Sequence, residues 1–178
     1  KRFDLFIEPP ELEKYNILNP DKAREMVIKL SDFMRYALSR KDEQPVSLSS
    51  ELENLRLYLD IEKVRFGERL VTEEQIDPSC LEVKIPGMLL QPLYENAVKH
   101  GVYESTGLVK VCTTASVSDG ILSIVICNNV DPEAAPRKGT GTGLMNVSRR
   151  LELSYGNRAN LTSEKKGNVF TVTLYMPV

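Results

Sequence analysis

Glu95-Asn96-Ala97-Val98-Lys99-His100-Gly101 is the stretch whose reading decides the fold. It closes an apolar segment that begins near Met88 and reads as a mostly buried helix, so a carboxamide, an ammonium and an imidazole arrive together at one helix end. Further along the chain stands Gly139-Thr140-Gly141-Thr142-Gly143-Leu144-Met145-Asn146, a glycine-rich loop that opens a second helix. Glycines let the backbone approach an anion closely, and the amides of a helix N-terminus favour negative charge. Either segment alone is weak evidence. Their order and their strand-rich surroundings point to a nucleotide site.

Between the two segments, Leu108 to Val117 and Ile121 to Asn128 are β-rich runs that flank Ser118-Asp119-Gly120. Asp-Gly between such runs predicts a tight hairpin, so these strands are expected to be antiparallel neighbours. Residues 129–142 carry Pro132, Pro136 and glycines with few large apolar side chains, which predicts a long loop of the kind that often serves as a lid. A helix follows over about 143–155, then strands near 159–163 and 169–176. Upstream, Leu81, Val83 and Ile85 alternate with charged residues and predict a strand ended by Pro86.

Residues 1–20 hold Pro9, Pro10 and Pro20 and show no sustained period. From Asp21 onward, Met26, Leu30, Phe33, Met34, Ala37 and Leu38 recur at helical spacing, predicting an amphipathic helix to about Arg40, with Asn19 as its cap and Pro20 at its first position. After Lys41 to Pro45 a second long helix is expected from Ser47 or Ser50 to Phe66, stopped by Gly67. Helices and strands are grouped rather than alternating, which predicts an α+β fold.

The whole chain has 178 residues and a formal net charge of -2, with dispersed basic residues, so general nucleic-acid binding is not indicated. No apolar run approaches the ~18 residues that cross a bilayer. Cys80, Cys112 and Cys127 are odd in number and widely spaced, which is neither a disulfide framework nor a zinc pattern, and a reducing compartment fits them. With His100 as the sole histidine, neither a Ser/His/Asp arrangement nor a multi-histidine metal site is available.

On the residues alone, Asn96 can offer Mg²⁺ an uncharged oxygen, Lys99 lies on the same helix face within reach of phosphates, and His100 at i+4 can donate to a phosphate oxygen. Asn128, with Asn129, ends an apolar strand where a carboxamide can pair with the edge of an adenine ring. The plainer readings are a helix-internal hydrogen bond for Asn96, a solvated Lys99, a His100 placed to suit the helix dipole, and a glycine loop that only connects. The stripes of the two long helices are either core or a dimer seam.

Four blocks carry a resemblance to a known family. They are Leu30-Ser31-Asp32-Phe33-Met34-Arg35-Tyr36, then Tyr58-Leu59-Asp60-Ile61-Glu62-Lys63-Val64-Arg65-Phe66, then Ile85-Pro86 through Gln91-Pro92-Leu93-Tyr94 to Gly101, and Gly141 to Asn146 with Arg149-Arg150-Leu151. Over residues 19–178 the chain resembles bacterial sensor histidine kinases of the LytS/YehU type. That resemblance implies a GHKL (Bergerat) ATP-binding α/β sandwich, a mixed sheet with helices on one face, preceded by a helical dimerisation segment. The implied division is 1–45 for a partial dimerisation and phosphoacceptor region and 46–178 for the catalytic domain.

The resemblance implies ATP and Mg²⁺ as the bound pair, with Asn96 as the metal ligand. Asn96, Lys99 and Glu95 form the implied catalytic set. Asn96, Lys99, His100, Asn128, Gly139, Gly141, Gly143 and Leu144 form the implied nucleotide contacts, with 130–142 as the lid. Related kinases often carry an adenine-reading aspartate where Asn128 stands. Related ATPases place a water-activating glutamate where this chain has Pro92, so phosphotransfer is expected over hydrolysis. The family's acceptor histidine precedes the first helix, where Tyr15-Asn16-Ile17-Leu18 stand here, so the acceptor is expected outside these residues. The implied partners are a second copy in a homodimer and a response regulator, in the cytoplasmic part of a membrane-anchored bacterial protein. A degenerate, non-catalytic nucleotide-binding and dimerisation module is the alternative.

Overall fold

The computed structural model describes residues 20–39, 44–103, 105, 107–131 and 142–178. The predicted cap Asn19, the helix end at Arg40, the 15–18 segment, Gly139, Gly141 and most of the expected lid lie outside them. The described elements in chain order are α1 (Pro20–Ser39), β1 (Pro45–Ser47), α2 (Leu48–Phe66), β2 (Leu70–Ile76), β3 (Lys84–Pro86), α3 (Gln91–Gly101), β4 (Val109–Ser118), β5 (Ile121–Asn129), α4 (Thr142–Tyr155), β6 (Asn160–Lys166) and β7 (Val169–Pro177).

Five strands form one mixed sheet in the order β2-β4-β5-β7-β6. Only the β2–β4 pair is parallel. The predicted hairpin is present: Asp119 at φ 52° and Gly120 at φ 73° form the two-residue turn between β4 and β5. Positive φ at both positions matches the strand twist and is what Asp-Gly tolerates. Burial alternates along both strands, with Val111, Thr113 and Ala115 of β4 and Leu122, Ile124 and Ile126 of β5 facing the core. Leu93, Tyr94, Ala97 and Val98 of α3, Val147 and Leu151 of α4, and much of α2 complete that core. This is the α+β arrangement expected, a mixed sheet with its helices packed on one face and a helical segment before it.

Ser47 caps α2 by accepting the Ser50 N–H at 3.3 Å, and Gly67 ends it at φ 59°. The helix is buried along an unusually broad surface because it packs on two neighbours. Leu52, Leu55 and Leu59 join the core, while Tyr58 meets Phe33 of α1 with ring centroids 6.1 Å apart. Lys29 of α1 reaches Asp60 of α2 at 3.0 Å.

Two expectations change. No strand was expected over Leu70–Ile76, yet β2 pairs with β4 along its whole length. The predicted strand at Leu81, Val83 and Ile85 shrinks to Lys84–Pro86, paired with β1. Asp77 takes the chain into a 3₁₀ turn by accepting the Ser79 N–H at 2.9 Å. The Leu81 and Val83 carbonyls then accept the first amides of α2, Ser49 and Leu48, each at 2.9 Å. They satisfy helix donors that have no partner within the helix.

Phe33 is 1% exposed, so Phe33→Ala is expected to lower unfolding stability by ~3–5 kcal/mol in a urea titration, through lost transfer energy and the cavity left at Tyr58.

Candidate functional site

The turn before α3 is built from the backbone outward. Met88 sits at φ 57°, so the helix cannot begin there and starts at Gln91 instead. A positive φ at a non-glycine residue costs on the order of 1 kcal/mol and persists only where surrounding structure imposes it. Two charged side chains do so. Glu51 of α2, 1% exposed, accepts the Met88 N–H at 2.9 Å and the Leu90 N–H at 3.1 Å. Arg150 of α4 donates to the Gly87 carbonyl at 2.7 Å and to the Met88 carbonyl at 3.0 Å. Acceptor and donor thus hold the same turn. Pro92 follows in the first turn of α3, where its missing N–H costs nothing.

The register that results buries Leu93, Tyr94, Ala97, Val98 and Gly101 against the sheet. The Tyr94 hydroxyl bonds to that of Thr113, and burial raises its pKa far beyond the ordinary tyrosine range. Asn96 and His100 are left half-buried and Lys99 exposed, at the i, i+3 and i+4 spacing that groups them on one face. Glu95 is half-buried and accepts from Gln91 at 2.8 Å within the helix.

At the C-terminal end of α3, Gly101 packs so closely on the sheet that a Cβ there would lie 2.7 Å from Val109 Cγ1, 3.2 Å from Asn128 Nδ2 and 3.5 Å from the Asn129 carbonyl. Asn128 is 2% exposed and faces inward from β5. Its Nδ2 donates to the Asn129 carbonyl at 3.1 Å, which turns Oδ1 into the acceptor it offers elsewhere. Asn129 does different work. Its Oδ1 accepts the Lys110 N–H at 2.6 Å and its Nδ2 donates to the Leu108 carbonyl at 2.9 Å, so it fastens the end of β5 to the start of β4. Arg69 holds the exit of α3 by donating to the Val102 carbonyl at 3.1 Å and to that of Ser105.

At the other end of α3, α4 begins. A Cβ on Gly143 would lie 3.9 Å from the Pro92 carbonyl, so the first turn of α4 abuts the first turn of α3. Leu144 is half-buried against the core. The structure therefore places Asn128 and Gly143 at opposite ends of α3, with Asn96, Lys99 and His100 on the helix between them. At 1.5 Å per residue, the stretch from Pro92 to Gly101 spans ~14 Å. A separate groove, lined by Pro45, Lys84, Pro86, Arg150, Leu153, Ser154 and Tyr155, includes none of these predicted residues.

Sequence reading gave no role to Glu51, Gly101 or Arg150. Gly101 and Arg150 stand in the quoted motifs, and Glu51 was signalled only by its place in the first turn of an apolar helix. Glu51→Ala is expected to cost ~3 kcal/mol in urea unfolding, because the part-buried Met88 amide and the buried Leu90 amide lose their acceptor. Gly101→Ala is expected to cost ~1–3 kcal/mol in the same measurement, since Val109 must give way to the new methyl.

A family model described as histidine kinase matches residues 12–70. The sensor histidine kinase YpdA of Escherichia coli K12 is 31% identical over 169 residues, covering 90% of this chain and 29% of that protein. The sensor protein LytS of Oceanobacillus iheyensis is 30% identical over 174 residues, covering 90% of this chain and 30% of that protein. The chain thus spans under a third of the length of these relatives. Among solved structures, the nucleotide-free catalytic domain of the histidine kinase ThkA superposes with a TM-score of 0.59 at 17% identity, covering 75% of this chain and 96% of that one. ThkA has also been solved in complex with the response regulator TrrA, and there the TM-score is 0.55 at 14% identity, covering 98% of this chain and 53% of that one.

Proposed function

The chain belongs to the LytS-type sensor histidine kinases, and from that premise we propose that it binds Mg²⁺-ATP along α3 and donates the γ-phosphate to a histidine outside these residues, for relay to a response regulator. One observation carries the reading: Asn128 meets Gly101 at one end of α3, Gly143 abuts Pro92 at the other, and the polar face of α3 lies between.

The residues fit the ligand. Gly101 leaves space where a side chain would press on Asn128, and Asn128 Oδ1 can accept from the exocyclic amine of adenine. Asn96 would hold Mg²⁺ through its carboxamide oxygen, and the cation would neutralise phosphate charge. Lys99 and His100 would donate to phosphate oxygens, and the amides at the start of α4, with Gly139 and Gly141 before them, would cradle the terminal phosphates. Catalysis is chiefly positioning and charge stabilisation. Pro92 offers no carboxylate to activate water, which favours phosphotransfer over hydrolysis. Glu95 is the carboxylate next to Asn96 in the chain, and ATP turnover lost on Glu95→Gln but kept on Asn96→Ala would favour an ATPase instead.

Residues 1–45 would supply part of the dimerisation and phosphoacceptor region and 46–178 the catalytic domain. The α1–α2 packing crosses that division. Val27 and Ile28 on α1 are 54% and 53% exposed, an apolar pair suited to a seam between two copies in a membrane-anchored parent protein. Val27→Asp with Ile28→Asp is expected to halve the mass seen by light scattering, and an unchanged mass would remove α1 from the dimer.

Calorimetric titration with a non-hydrolysable ATP analogue is expected to show saturable, Mg²⁺-dependent binding, weakened at least tenfold by Asn96→Ala. Absence of binding at millimolar nucleotide by the folded protein would favour the degenerate module, which acts through partners alone.

A further inference from the structure

Cys112 of β4 and Cys127 of β5 are widely spaced in the sequence, but the strand register sets them directly opposite each other. The Asp77 N–H donates to the Ala115 carbonyl at 2.9 Å, so odd-numbered residues of β4 aim their backbone groups at the β2 side. The Val130 N–H donates to the Asn168 carbonyl at 2.8 Å, so even-numbered residues at the end of β5 aim theirs at the β7 side. Cys112 and Cys127 therefore face each other as a hydrogen-bonded pair, for which the Cα separation is ~5.5 Å. That lies inside the ~4.4–6.8 Å window that a disulfide spans.

Both side chains point to the sheet face opposite the helices, and both are half-buried. Lys110 stands beside them, paired with Glu73 at 2.7 Å. Cys80, by contrast, is 0% exposed in the core.

We propose that Cys112 and Cys127 form a reversible dithiol site that low-molecular-weight disulfides oxidise to a cross-strand disulfide between β4 and β5. The thiolate of one cysteine attacks a sulfur of the reagent disulfide, forming a mixed disulfide and expelling one reagent thiolate. The second cysteine gives its proton to water and attacks the protein-side sulfur, closing the Cys112–Cys127 bond and expelling the other reagent thiolate. Two electrons leave the protein sulfurs and reduce one reagent disulfide to two thiols. Burial, and next the neighbouring thiol, hold Cys112 above the ordinary thiol value, so the first attack is slow at neutral pH. Attack by an added thiol on either sulfur of that bond reverses the same exchange steps. This site does not depend on the nucleotide reading.

The test treats the full chain with excess oxidised glutathione at mildly alkaline pH, then measures intact mass and maps linked peptides by non-reducing digestion. The expected product is a monomer lighter by two hydrogens, restored by dithiothreitol, with Cys112 linked to Cys127 and Cys80 unmodified. Cys112→Ser and Cys127→Ser should each stop at a glutathione adduct on the remaining thiol of the pair. A wild-type chain that keeps stable glutathione adducts on both cysteines, that shows no reaction, or that links through Cys80 would overturn the proposal.

Discussion

The buried carboxylate of Glu51 is the constraint on which the rest of this structure depends. A carboxylate 1% exposed is stable only if its lone pairs are used, and here the Met88 and Leu90 amides use them. The same two bonds impose a turn that the local sequence would not adopt unaided, with Met88 at φ 57°. Arg150 completes the turn by taking the carbonyls of Gly87 and Met88. Because α3 starts where this turn ends, a shift of one residue there would rotate the helix by ~100° and carry Asn96 and Lys99 off the site. The clamp also joins three elements distant in sequence, so α2, α3 and α4 are positioned together.

Much of the fold was legible because local chemistry and tertiary structure agree. The Asp119-Gly120 turn, the Ser47 cap and the Gly67 stop each impose a backbone state that their residues favour, and α2, α4, β4, β5, β6 and β7 fell close to where periodicity put them, while α3 opens at Gln91 rather than near Met88. Strand β2 was not legible. Glu73, Glu74 and Gln75 fill its centre, and the partners that make those residues fit lie elsewhere: Arg56 of α2 meets Glu74 at 2.6 Å and Lys110 of β4 meets Glu73 at 2.7 Å. Nothing within Leu70–Ile76 announces a partner that has yet to fold against it. The strand predicted at Leu81–Ile85 shortened for the converse reason: Ile85 stays in the ladder with β1, while the Leu81 and Val83 carbonyls are taken by α2 amides.

The candidate site divides along the same line. Asn96, Lys99 and His100 could be grouped from helical spacing alone, and the structure puts them on one face of α3. Their relation to Asn128 and Gly143 depends on how α3 lies on the sheet, which the sequence hints at only through the glycine at position 101. The paired asparagines at 128 and 129 show how far pattern reading reaches. Both end an apolar strand, yet one faces the helix and the other ties down a neighbouring strand, and the two-residue alternation of the strand decides which is which.

The most direct test of the central claim is the set of backbone amide shifts in a ¹⁵N correlation spectrum when an ATP analogue and Mg²⁺ are added. The account predicts that the largest changes fall on Asn96, Lys99, His100, Gly101, Asn128 and the Gly143–Leu144 turn, with the outward-facing residues of β4 and β5 little changed. Changes centred on the groove of Lys84, Arg150 and Tyr155, with α3 unmoved, would contradict it.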